Sequence, residues 1–292
     1  MTATCSQTPL HTGRIEAWKS WGPVLAAWVI AFSPVYAMLA TEVWSRPETV
    51  HGALVFGVVL WLLWRERSAF TRFSAPRPVS ATLLIGAGAV LYTLGRAQPF
   101  DLLTVAAQMP LLAGTVLLIN GLPAFRRLAF PIAFMVFMLP LPGSLLDAIL
   151  VPLKFQVSAI ADNVLYFLGY PISRNGVMLY IGPYQLLVAN ACAGLNSILA
   201  LSSVGVLYVY LVKSEFFLHR PLLIAAVVPI ALTANAVRVM LLVLTTYHFG
   251  DRAGTLFHDI AGLFEIVIAF GMLFAVDAAL TKWNSKMRQR QS

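Results

Sequence analysis

Charge is scarce in this chain: 11% of its 292 residues are Asp, Glu, Lys or Arg, against 59% that are hydrophobic. So little charge excludes a soluble domain and places the chain among multispan integral membrane proteins. Acidic residues are the scarcer sign, 12 against 20 cations, leaving a formal net charge of +8. That excess does not mark a nucleic-acid-binding surface. The cations stand singly or in small groups between apolar runs, as membrane topology requires. Cysteine is nearly absent. Cys5 and Cys192 lie in unlike settings and cannot by themselves build a disulfide framework or a metal site. No motif asks for a metal or another cofactor.

What is abundant is apolar sequence in long runs. Segments at about 21–40, 50–64, 79–95, 99–120, 122–140, 192–212, 220–248 and 256–280 predict an all-α integral membrane fold of about eight transmembrane helices, the second being the shortest. Residues 1–20 form a cytoplasmic tail, 21–281 a single transmembrane domain, and 282–292 a basic cytoplasmic tail. Ala31-Phe32-Ser33 has the small-x-small form of a signal-peptide cleavage site, but Pro34 follows it and the run continues apolar, so the first helix reads as uncleaved.

Lys and Arg on alternate sides of these spans set the orientation. Fourteen cations fall on one side, among them Arg65, Arg67, Arg72, Arg77, Arg126, Arg127 and the C-terminal group. Five, Arg46, Arg96, Lys154, Arg174 and Arg252, fall on the other. Both termini are therefore expected inside, and the segment 141–191, between the fifth and sixth spans, outside. That segment is broken by Pro142, Asp147, Pro152, Lys154, Asp162, Asn163, Pro171 and Arg174, which predicts an interfacial helix plus loop. Its end, Val177 to Val188, holds two short apolar and aromatic runs around Gly182-Pro183. They make either a β-hairpin turning near Pro183 or an irregular loop against the bundle. A hairpin edge there would suit strand addition by an extended peptide.

One cation belongs to neither side. Arg238 is the only formally charged side chain from Pro221 to Leu244, and a guanidinium near a span centre costs about 2.5 to 3.5 kcal/mol on insertion scales. It must meet a polar cavity, a partner or a substrate. Asn235 lies three residues earlier on the same helical face. Glu265 in the last span is a credible ion-pair partner, and snorkelling to the outer interface is a further structural explanation.

Two other features fall on the same outer side. Cys192, in Ala191-Cys192-Ala193-Gly194-Leu195-Asn196-Ser197, sits where the sixth span begins. A thiol near a helix N-terminus is biased toward thiolate, although a buried cysteine is often just a small apolar residue. His258 opens the last span, followed by Asp259, Gly262 and Glu265, and an imidazole exchanges protons near neutral pH. A Cys and His pair with a fixed cation suffices for acyl transfer: the base takes the thiol proton, and the guanidinium stabilises the tetrahedral oxyanion.

The Ala-Cys-Ala-Gly-Leu-Asn-Ser segment, the Asn-x-x-Arg of Asn235 to Arg238 and the His258 segment resemble the exosortase and archaeosortase family, with Arg174-Asn175-Gly176 similar to the family's approach to its cysteine. The resemblance runs from about Val50. It implies a membrane cysteine protease and transpeptidase of the cytoplasmic (inner) membrane, with its active site facing outward. Its substrates would be exported proteins carrying a C-terminal motif such as Pro-Glu-Pro, a transmembrane helix and a basic tail. By motif match, Cys192 is the nucleophile, Arg238 stabilises the transition state and His258 carries the proton; Asn196, Asn235, Glu265 and Arg174 are supporting candidates. Many members have serine after the cysteine, where this chain has Ala193.

The acceptor nucleophile is not encoded, and the other partners implied are membrane lipids. Two alternatives stay open at this point. One is a transporter or flippase in which Arg238 binds an anionic lipid-linked headgroup, although no repeat relates the two halves. The other is a non-enzymatic assembly factor for exopolysaccharide export.

Overall fold

The computed structural model describes residues 10–45, 51–98, 100–187, 195–212 and 218–291. In chain order these form α1 (Leu10–Met38), α2 (His51–Arg65), α3 (Pro78–Ala97), α4 (Asp101–Ala106), α5 (Gln108–Ile119), α6 (Gly121–Phe134), α7 (Gly143–Phe167), β1 (Ile172–Asn175), β2 (Met178–Ile181), β3 (Tyr184–Leu187), α8 (Leu195–Leu211), α9 (His219–Phe249) and α10 (Asp251–Gln291). The chain divides into two compact units, Met1–Pro142 and Gly143–Ser292.

Among the described residues, six stretches are long and apolar enough to cross a membrane: Ser20–Val43, Pro78–Ala97, Asp101–Ile119, Gly121–Met138, His219–Phe249 and Ile260–Ser285. Their outward side chains are apolar as well; Ile30, Val79 and Val267 are 77%, 75% and 69% exposed. Such surfaces suit lipid, not water. The protein is thus a mostly helical, multi-pass membrane protein. The other two expected spans are apolar but shorter among the described residues, His51–Arg65 and Leu199–Leu211. The 15 residues of α2 rise only about 22 Å, less than the hydrocarbon thickness of about 30 Å. The expected start of the other, 192–194, lies outside the described residues.

The fourth expected span is interrupted at Ala107 between α4 and α5. Pro110 explains the break: it has no N–H for the carbonyl of Ala106, and its ring crowds that carbonyl. In unit 1 a basic loop, 66–77, is held onto the α5–α6 turn. Asn120 is 1% exposed and takes the Trp21 Nε1 proton on Oδ1 at 3.0 Å, while its Nδ2 donates to the carbonyls of Phe70 (3.0 Å) and Arg72 (3.1 Å). Ser74 Oγ donates to the Asn120 carbonyl at 2.7 Å. Gly121 follows at φ +77°, and a Cβ there would lie 2.4 Å from Ser74 Oγ, so both its conformation and its space require glycine.

Unit 2 begins with α7, a helix in the segment where one is expected, 25 residues long with Pro152 inside it. The three strands after it form an antiparallel sheet in the order β1-β2-β3. Of the two readings left open around Pro183, the hairpin is the one formed, as β2 and β3, with Ile181 facing Tyr184, and β1 extends it to a meander, with Asn175 facing Met178. Both turns have two central residues, and both open on glycine at positive φ, Gly176 (+65°) and Gly182 (+52°). Val177 and Pro183 do not share the positive φ, which identifies type II′ turns. The sheet's buried face, Ile172, Leu179 and Ile181, packs with Val157, Ala161 and Leu165 of α7 and Ala236, Val239 and Val243 of α9.

Helices α9 and α10 form a hairpin closed by one residue, Gly250, at φ +85°. Four residues later the two helices touch so closely that a Cβ on Gly254 would lie 2.2 Å from Thr246 Oγ1. Gly254→Ala is expected to destabilise the protein by about 1–3 kcal/mol, the usual range for overpacking. Thr246→Ala in the same chain should recover part of the loss in a thermal unfolding assay.

Candidate functional site

Both charges of the expected ion pair sit in this hairpin. Arg238 Nη1 donates to Glu265 Oε2 at 3.0 Å, with side-chain exposures of 8% and 0%. The insertion cost of the guanidinium is therefore offset inside the unit, by a carboxylate that would itself be costly unpaired. A guanidinium has five N–H donors in a rigid fork, more than one carboxylate can occupy, so such a pair both neutralises and aims it. Asn235 is buried one turn from Arg238, at 2% exposure.

The register between α8 and α9 sets the depth of this pair relative to the start of α8. Near the α8–α9 connection, Arg220 Nη2 donates to the Val212 carbonyl at 3.2 Å. Further along, a Cβ on Gly205 would lie 2.9 Å from Val227. The two contacts share one antiparallel register. Ten residues back from Gly205 is Leu195, the first residue of α8, and ten or eleven onward from Val227 are Val237 and Arg238. Arg238 is thus level with the start of α8. Cys192 precedes Leu195 by three residues and lies outside the described residues; of Asn196 only the helical backbone is described.

His258 is half-buried on α10, seven residues before Glu265. That is two turns, about 10 Å, toward the Gly250 turn and on nearly the same face. The pair Arg238–Glu265 and the start of α8 thus share a level, while His258 lies nearer the turn. Arg174, on β1, is exposed, and its Nη1 donates to the Gly176 carbonyl at 3.1 Å, clipping the β1–β2 turn.

Two polar clusters in unit 2 were not anticipated. Tyr170, leading into β1, meets His248 through its hydroxyl and Nε2 at 3.2 Å, and its ring meets Tyr247 edge-on. A Cβ on Gly182 would lie 3.2 Å from Tyr247, so the sheet is seated on the end of α9 nearest Gly250. At the opposite end of the hairpin, Asp277 accepts from Tyr208 at 2.8 Å and meets His219 Nε2 at 2.6 Å, joining α8, α9 and α10. Nothing in the spacing of His219 and Asp277 signals this pairing; the only sequence clue is Asp277, an acid inside an apolar run, since His219 stands at the edge of one beside Arg220. Among the described residues, no three His, Cys, Asp or Glu side chains converge as metal ligands.

A family model described as transmembrane exosortase matches residues 43–275 of the chain. No curated protein matches the chain, and no solved structure does. The matched stretch includes Arg174, Cys192, Asn196, Asn235, Arg238, His258 and Glu265.

Proposed function

On the premise that the chain belongs to the transmembrane exosortase family, which the match over residues 43–275 establishes, we propose that it cleaves the C-terminal sorting signal of exported proteins through a thioester on Cys192. Exosortase-type function in a multi-pass membrane protein follows from the family and the spans; the residue roles, the substrate and the outward-facing site in the cytoplasmic membrane are our reading. The observation that carries it is the buried guanidinium of Arg238, held by Glu265 level with the start of the helix that follows Cys192.

In this mechanism His258 takes the thiol proton, and the Cys192 sulfur attacks the scissile carbonyl carbon. The carbonyl oxygen becomes an oxyanion, which Arg238 stabilises by charge-assisted hydrogen bonds. Collapse breaks the C–N bond, and His258 returns its proton to the leaving amine. The thioester is then attacked by an acceptor, water or an amine, which releases the acyl group and regenerates the thiol. Glu265 orients Arg238 and does not touch the reacting atoms. Asn235, Asn196 and Arg174 support the site and its approach.

The meander offers the substrate an extended docking edge. With Ile181 and Tyr184 paired across a two-residue turn, hydrogen-bonded and non-bonded pairs alternate along β2 and β3. Leu186 then points its N–H at Leu179, while Gln185 and Leu187 point theirs outward. A proline at Leu186 would break the sheet itself; at Gln185 it would block only the outer edge.

The test is a reporter carrying a C-terminal motif, transmembrane helix and basic tail, coexpressed with the chain. The expected result is a shortened reporter whose mass places the cut at the motif, with slower cutting by Gln185→Pro. A reporter left intact by the wild-type chain, across motif variants, contradicts the proposed activity; cutting unchanged in Gln185→Pro contradicts the edge.

A further inference from the structure

Unit 1 contains a cavity that the proposed chemistry does not use. It has a volume of about 480 Å³, within the range of small-molecule sites. Its thirteen lining residues include Trp21, Trp28, Tyr36, Phe56, Leu63 and Phe70. Only Tyr36 and Thr115 carry hydroxyls, and both are occupied: Tyr36 donates to Gln108 Oε1, and Thr115 donates to the Leu111 carbonyl at 2.7 Å. The indole N–H groups of the wall are committed too, Trp21 to Asn120 and Trp28 to Tyr36, so a polar ligand would find no uncommitted side-chain donor, whereas a hydrocarbon chain would leave no group unsatisfied. From Trp21 to Tyr36 the wall follows 15 residues of α1, about 22 Å. That depth exceeds one leaflet's share of the hydrocarbon core, about 15 Å.

The end of the cavity at Trp21 and Phe70 adjoins a second, smaller hollow of about 80 Å³, lined by Arg72, Ser74, Asn120 and Arg127 among others. The two hollows share a wall. Trp21 and Phe70 line the apolar cavity, while the Trp21 Nε1 and the Phe70 carbonyl are bonded to Asn120, which lines the smaller one. Asn120 and Ser74 are engaged with each other and with the loop, so Arg72 and Arg127 are the lining residues with donors left for a guest. Both are exposed, and among the described residues neither has an acidic partner. Arg65 and Arg67 nearby lie over the rings of Trp61 and Trp64 at 5.5 and 4.9 Å. Six cations, Arg65, Arg67, Arg72, Arg77, Arg126 and Arg127, stand here against one acid, Glu66.

We propose that unit 1 holds one anionic phospholipid, with an acyl chain in the apolar cavity and its phosphate between Arg72 and Arg127. Clustered arginines beside a span attract anionic headgroups, and arginine binds phosphate through paired N–H bonds. A choline headgroup would add a cation to a cluster already rich in them. The site is independent of the cysteine chemistry and of its substrate.

The test is native mass spectrometry of the full chain in detergent, with phosphatidylglycerol, phosphatidylcholine of the same acyl chains, or inorganic phosphate added. The wild-type chain is expected to retain one phosphatidylglycerol, at least tenfold more tightly than phosphatidylcholine. Arg72→Gln with Arg127→Gln should remove that preference; both residues are exposed, so the fold does not depend on them. Val59→Phe with Leu112→Phe, which fills the cavity, should weaken retention at least tenfold. Equal retention of the two lipids, or a preference unchanged in the double glutamine variant, would overturn the proposal. So would displacement of the lipid by inorganic phosphate, which would assign the arginines to a free anion, or unchanged retention by a folded cavity-filled chain.

Discussion

Removing Arg238 alone is expected to destabilise the protein and stop processing, whereas removing Arg238 and Glu265 together restores the stability and not the processing. In Arg238→Gln the carboxylate of Glu265, fully buried, loses the cation 3.0 Å away. Breaking a buried pair from one side costs about 3–5 kcal/mol, because a charge is left without compensation. Arg238→Gln with Glu265→Gln removes both charges, the second change being isosteric and the first shortening the side chain by two heavy atoms, so much of that loss should return. Activity behaves differently if Arg238 meets the oxyanion. Losing one such donor lowers rate by about 10²–10³, and no substitution at Glu265 supplies it again. Arg238→Lys keeps the charge but not the planar fork, so it should retain much of the stability and lose at least tenfold in rate. Thermal unfolding in nanodiscs and reporter cleavage rates read the two effects separately. A double glutamine variant that regains both would make the pair a structural element only.

Cys192→Ala is expected to abolish processing, by at least about 10⁴-fold, while leaving the fold intact. Loss of a nucleophile that acts as part of a unit removes nearly all the catalysis the unit supplies. The substitution deletes a single heavy atom at a position three residues before α8, so stability should change little. Cys192→Ser should fail as well, because a hydroxyl is far less acidic than a thiol and gains less from a nearby helix N-terminus. Cys5→Ala, in the polar N-terminal stretch, should process normally. His258→Gln should slow cleavage by about 10²–10⁴, the range for a positioned proton carrier, without the stability loss of Arg238→Gln. Cleavage by Cys192→Ala at the wild-type rate would remove the thioester from the mechanism.

The chain's membrane character was legible because length and hydropathy decide it: six expected spans recur as helices long enough to cross. The ion pair was legible for the same energetic reason, since Arg238 could not stay unpartnered in an apolar run and Glu265 was the nearby acid in the next. The hairpin was one of two readings open at Gly182-Pro183, and the structure selects it. The third strand was not anticipated, although Gly176, six residues earlier, repeats the turn signal. The segment after Leu141 was legible as a helix that is not a clean span: α7 forms over Gly143–Phe167 with Pro152 and Lys154 inside it, and it is not among the stretches apolar enough to cross. What no pattern carried was register. The Thr246–Gly254 contact, the Asp277–His219–Tyr208 cluster and the level of Arg238 against Leu195 all depend on how one helix slides along another. That sliding is fixed by side-chain packing between residues far apart in sequence.

The most direct test of the central claim is to trap the acyl-enzyme. The full-length chain and a reporter substrate are quenched in acid during turnover, and the adduct is mapped by peptide mass spectrometry. The proposed mechanism predicts the reporter's upstream fragment attached to Cys192 through a bond that neutral hydroxylamine cleaves, and no such adduct in Cys192→Ala. Turnover with the upstream fragment attached to another residue, or continuing at full rate in Cys192→Ala, would contradict it.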